Sequence, residues 1–110
     1  MDIYHIFADH KEDVSSYEFV SKMKIFLDQM VSMKKMETYR ITRMKLGFRS
    51  MDLPEFHIMM EFNSLQQLDD AMTSILENEK HIEDSHVGFN SLVDAETIQH
   101  FLYRDYPDNF

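Results

Sequence analysis

The stretch Glu55-Phe56-His57-Ile58-Met59-Met60-Glu61-Phe62 alternates in polarity, and Ser64-Leu65-Gln66-Gln67 follows almost at once. Phe56, Ile58, Met60 and Phe62 fall at every second position, so an extended chain puts all four on one face. His57, Met59 and Glu61 then occupy the opposite face. Ser64 and Gln67 have the spacing of a capping box, in which a serine hydroxyl accepts from the amide three residues on. Leu65, Leu68, Ala71, Met72, Ile75 and Leu76 continue at steps of three and four, the stripe of an amphipathic helix over Ser64–Glu79.

The same strand-then-helix unit occurs upstream. Ile3–Ala8 is extended and apolar on both sides, Tyr4, Ile6 and Ala8 against Ile3, His5 and Phe7. Ser15-Ser16-Tyr17-Glu18 is another capping box, with Val14 and Phe19 at hydrophobic-staple spacing. Val20, Met23, Leu27, Met30 and Val31 carry that helix from Ser15 to Ser32. Thr38–Leu46 is a further alternating segment. Thr97–Arg104 closes the pattern, with Ile98, His100 and Leu102 against Gln99, Phe101 and Tyr103. Strand, helix, strand, strand, helix, strand is the split βαβ, ferredoxin-like order. It predicts an α+β fold, a four-stranded antiparallel sheet with two helices on one face, over a single domain spanning 1–110. Lys80–Ala95 is long for a connection, and His86–Val93 within it is apolar enough to pack down as a short helical turn.

Composition narrows the function classes. At 44% hydrophobic and 13% aromatic, the 110-residue chain belongs with folded globular domains. With only 2 Gly and 2 Pro there is no Gly-rich phosphate loop. The absence of cysteine excludes disulfides, thiolate metal sites and a cysteine nucleophile, and agrees with a reducing compartment. The start Met1-Asp2-Ile3-Tyr4 has no basic segment leading into an apolar run, so the expected location is the cytoplasm. No apolar run reaches membrane-spanning length, and no membrane partner is expected. The net charge of −9 argues against nucleic acid, whose phosphates need clustered Lys and Arg. The basic residues form only short groups (Lys22, Lys24, Lys34 and Lys35, then Arg40, Arg43, Lys45 and Arg49), read as a solvated helix face and a strand edge.

Strands apolar on both sides are normally buried on both sides. Two helices cover one face of the sheet, so a second sheet is needed for the other, and the simplest source is another copy of this chain. A homodimer through sheet faces is therefore expected.

Through Tyr4–Glu12, Tyr39–Phe48, Pro54-Glu55-Phe56 and Leu102–Asp108, over nearly its whole length, the chain resembles the dimeric α+β barrel superfamily, in particular the small stress-responsive A/B-barrel-like proteins of unknown function. The resemblance implies two ferredoxin-like sheets facing across a dimer axis and enclosing a barrel. The superfamily includes cofactor-independent monooxygenases, haem-degrading enzymes, lactone isomerases and members with no known activity, so membership does not fix function. The haem-degrading branch relies on a first-strand Asn, a Trp and a helix His. This chain has neither that Asn nor any Trp, so no cofactor is expected.

The candidate chemistry lies on the strands. In ferredoxin-like strand order His5, His57 and His100 fall on adjacent strands, and their parities suggest that all three face the barrel with Glu61. Such a set could move protons, or could bind a metal. Set against this is a polar network at a dimer interface, which is the commoner origin of such residues, and no metal site is assigned. His86 is a candidate ligand contact at the start of the packed connection. Arg43 could meet an anionic ligand or Glu61, or form a strand-edge salt bridge, and Tyr103 and Arg104 are expected across the dimer, with Tyr103 also a candidate ligand contact. The methionines read as an adaptable core. Three functions follow: a small apolar or aromatic ligand held in the inter-sheet cavity, a cofactor-independent monooxygenase or isomerase using barrel-facing His, and an interaction module without a ligand. The first is the leading expectation, without demonstrable catalysis.

Overall fold

The computed structural model describes residues 1–76 and 80–107. Its elements are β1 (Asp2–His10), α1 (Ser16–Ser32), β2 (Thr38–Arg43), β3 (Phe56–Phe62), α2 (Leu65–Leu76), α3 (Lys80–Asn90) and β4 (Val93–Arg104). The strands form one antiparallel sheet in the order β2-β3-β1-β4, the ferredoxin-like topology.

Local chemistry sets the helix starts. The Ser15 hydroxyl accepts from the Glu18 amide at 3.0 Å, and the Ser64 hydroxyl accepts from the Gln67 amide at 3.1 Å. The Gln67 side-chain carbonyl accepts from the amide of Asn63 at 2.7 Å, one residue earlier than a regular box would use. Orphan amides at both helix starts are thereby satisfied. Val14 and Phe19 are both buried, as the staple spacing requires.

The core lies between the sheet and the helices. Phe19, Met23, Leu27 and Met30 of α1 meet Phe56, Ile58, Met60 and Phe62 of β3, all buried. The β3 alternation is thus realised in full. At the sheet's end Asp2, 4% exposed, accepts from the Arg104 guanidinium at 2.6 Å and ties β1 to β4.

Two expectations on the last third of the chain need correction. The connection over Lys80–Ala95 contains an 11-residue helix, α3, rather than a short turn. A helix of that length interrupted by Gly88 is marginal alone, and tertiary packing makes up the difference. Phe89 of α3 packs against Phe19 and Phe26 of α1, and the Ser85 hydroxyl bonds to the Gln29 side chain. The final strand also begins at Val93, not Thr97, and is extended past a bulge where the register slips between Phe7 and Asp9. There the Thr97 hydroxyl accepts from the Asp9 amide at 2.9 Å in place of a ladder carbonyl. The expected helix end at Glu77–Glu79 lies outside the described residues.

Candidate functional site

The sheet face away from the helices has a ring cluster at its centre. Cross-strand register places Ile3, His5 and Phe7 of β1 beside Glu61, Met59 and His57 of β3. On the other side of β1 it places Tyr103, Phe101 and Gln99 of β4. His5 Nδ1 and His57 Nε2 are hydrogen-bonded at 2.8 Å, so one neutral ring donates and the other accepts. Phe7 stacks on His57 with centroids 4.2 Å apart, and Tyr103 meets His5 edge-on at 5.1 Å. The face is greasy and open, with Phe101 43% and Tyr103 62% exposed.

Burial, and then repulsion between His5 and His57 as cations, holds His57 below the usual imidazole range. Burial alone does the same to His86. The folded chain therefore binds fewer protons at these rings than the unfolded chain does. Their contribution to stability is complete above a pH of about 6.5 and is lost as pH falls below that value through the depressed folded pKa values. Thermal melts between neutral and mildly acid pH should show the wild type losing more stability on acidification than a His57→Gln, His86→Gln double variant. Equal losses would remove these rings as the source.

The second place is a cavity of about 220 Å³ on the helix side of the sheet. Its floor is β1 and β3, including Tyr4 and Met60, and its walls come from α1, α2 and α3. Five of its lining residues are methionines: Met23, Met30, Met36, Met60 and Met72. Only Tyr4, His86 and Asn90 bring polar side chains, and no charged residue lines it among the described residues. His86 is half-buried, 5.1 Å from the Phe26 ring, and makes no hydrogen bond among the described residues. Asn90, one turn on, is exposed, so the cavity meets water there. The Tyr4 hydroxyl is already shared with His100 Nδ1 at 3.2 Å, and burial raises its pKa.

The expected His set divides between the two faces. His5 and His57 meet as foreseen, with Glu61 further along the same face opposite Ile3. His100 does not join them. It pairs with Ile6 across β1, which fixes it on the helix side, bonded to Tyr4. A three-histidine proton-transfer set on the open face is thereby ruled out. Arg43 forms the strand-edge salt bridge that was the alternative to its meeting an anionic ligand or Glu61. It pairs in register with Phe56 on the helix side, binds Glu55 at 2.6 Å and lies 5.5 Å over the Phe56 ring. Glu61 is out of its reach on the other face. Tyr103 sits on the open face as expected, and His86 lines a cavity, though one inside the protomer. Tyr4 and the methionine wall were missed as site residues; the only advance sign was the parity of β1, which already put Tyr4 with Ile6 and Ala8. Among the described residues no group of three or more His, Asp or Glu side chains converges as a metal site. No helix among them is long and apolar enough to cross a membrane.

The profile of DUF6614, a family of unknown function, matches residues 1–110. The chain belongs to that family. No curated protein matches this DUF6614 chain. Among solved structures, the At3g17210 protein of Arabidopsis thaliana has a TM-score of 0.75 at 12% identity, with 100% of both chains covered. A dimeric ferredoxin-like protein of unknown function from Jannaschia sp. CCS1 scores 0.68 at 10% identity, covering 96% of this chain and 100% of its own. A Nitrosomonas europaea protein provisionally named an antibiotic biosynthesis monooxygenase scores 0.66 at 12% identity, covering 96% and 99%. At such identities the likeness shows the ferredoxin-like fold alone, and the chemistry has to come from the DUF6614 chain's own residues.

Proposed function

We propose that this DUF6614 chain is a cytoplasmic small-ligand-binding protein that works as a homodimer through its open sheet faces. Each protomer carries its own apolar site between sheet and helices. The cavity lined by methionine and aromatic side chains carries this reading, because a packed interior seldom leaves a space of that size. An inter-sheet cavity needs a second chain, whereas this one is enclosed by a single protomer's elements. The dimer is supported by the ring-rich open face and by the dimeric state of the Jannaschia neighbour.

Toluene tests the cavity. A cavity of about 150 Å³ is known to hold benzene, so a slightly larger ring fits here. At about 100 times its dissociation constant toluene should stabilise the folded chain by about 2.7 kcal/mol, read as a higher melting temperature. Ala71→Leu, which fills the cavity wall at a buried position, should abolish the shift. No shift in the wild type would sink the ligand-binding reading.

A further inference from the structure

We propose that the ligand of this cavity is an uncharged ring compound bearing a hydroxyl or carbonyl group, and that His86 is the side chain that binds that group. The inference rests on the reading of the cavity as a ligand site and adds the class of molecule.

The charge of the ligand follows from the wall. No Lys, Arg, Asp or Glu lines the cavity among the described residues, so an anionic or cationic ligand would lose its hydration without gaining a counter-charge. An uncharged molecule meets no such barrier. Its shape follows from volume and surface. About 220 Å³ is more than benzene needs and suits one substituted ring, with Phe26 and Phe89 in the wall beside it. Methionine side chains are unbranched and polarizable, so the wall can close on rings of somewhat different outline.

The polar group follows from His86. The His86 ring is half-buried and makes no hydrogen bond among the described residues, yet no sealed side-chain nitrogen or oxygen is left unpaired there, so its ring nitrogens stay within reach of water or of a ligand's polar group. Within the wall Phe26 is its ring neighbour, and the wall's Tyr4 hydroxyl is engaged with His100. Burial keeps the His86 ring neutral, and a neutral imidazole presents one N–H donor and one lone pair. A ligand hydroxyl can use either, and a ligand carbonyl can use the donor. Asn90 on the same helix face, at the solvent side, is placed to take a second polar substituent.

Three probes of nearly one shape separate the possibilities: toluene, para-cresol (toluene with a hydroxyl) and benzoate (the methyl replaced by a carboxylate). Calorimetric titration of the wild-type protein at neutral pH should give para-cresol an affinity about fivefold above toluene, the worth of one net hydrogen bond. Benzoate should bind at least about tenfold more weakly than para-cresol. In His86→Leu the advantage of para-cresol over toluene should vanish while toluene binding persists. If that variant fails to fold, the wild type still decides, because para-cresol should shift the His86 ring nitrogen resonances and toluene should not. Para-cresol no tighter than toluene, benzoate as tight as para-cresol, or unmoved His86 resonances would overturn the inference while the cavity reading stands. Failure of all three probes to bind would remove both.

Discussion

Phe101→Asp should break the proposed sheet-to-sheet dimer into 13.2 kDa protomers that remain folded. Phe101 stands on β4 opposite His5, its ring edge-on to Phe7 at 6.1 Å, and is 43% exposed in the single chain. A residue already open to water contributes little to the protomer's own core, so an aspartate there leaves the fold intact. In a sheet-to-sheet dimer it would carry an unpaired charge into an apolar interface, the kind of burial that proteins avoid. Loss at an aromatic anchor of this sort weakens association by roughly 100-fold, or about 2–3 kcal/mol. Tyr17→Asp is the matched control, since Tyr17 is 84% exposed on α1, away from the open face. Sedimentation equilibrium at micromolar concentration should return twice the chain mass for the wild type and for Tyr17→Asp. Wild-type protein sedimenting as a single chain would sink the dimer, and Phe101→Asp sedimenting as a dimer would move its interface elsewhere.

The sheet was legible in the sequence because its signal is local. Phe56, Ile58, Met60 and Phe62 alternate without a break, and the strand they form is buried at every one of those positions. The helix starts were equally plain, since a capping serine acts on an amide three residues away. What stayed hidden depends on distant partners. The parity of β4 relative to β1 is set by where the two strands pair, and no residue of Thr97–Arg104 declares that His100 will lie opposite Ile6. One step of register exchanges the faces, and with them the membership of the histidine set. Helix α3 was underestimated because Gly88 and a run of polar residues weaken its local pattern, while its support comes from Phe19 and Phe26 on another helix. The cavity is the extreme case. A void exists only where three layers of side chains fail to meet, and a sequence records side chains, not the gaps between them.

That dependence on distant partners meets at one ring. Phe19 is 0% exposed and touches His10 of β1, Phe56 of β3 and Phe89 of α3, with centroids 5.5, 5.2 and 5.7 Å away. It therefore seats α1 on the sheet and α3 on α1 together. Phe19→Ala should lose about 3–5 kcal/mol, the transfer energy of the ring plus the cost of the space it leaves. Against a total stability of about 5–15 kcal/mol for a native domain, that is a large fraction. The melting temperature should fall by at least about 12 °C. Phe19→Leu keeps most of the volume and should lose less than about 1.5 kcal/mol. Urea unfolding followed by circular dichroism measures both, and a Phe19→Ala loss below about 1 kcal/mol would mean that α3 is not held through this ring. The consequence reaches the cavity, because Phe89 is both a neighbour of Phe19 and part of the cavity wall. With Phe19 shortened, α3 keeps its contacts to Phe26 and Gln29 but loses a third anchor, and His86 is held less firmly over the site. The ability of para-cresol to outbind toluene should then decline before toluene binding itself does, since a hydrogen bond needs a placed ring and apolar contact needs only a wall.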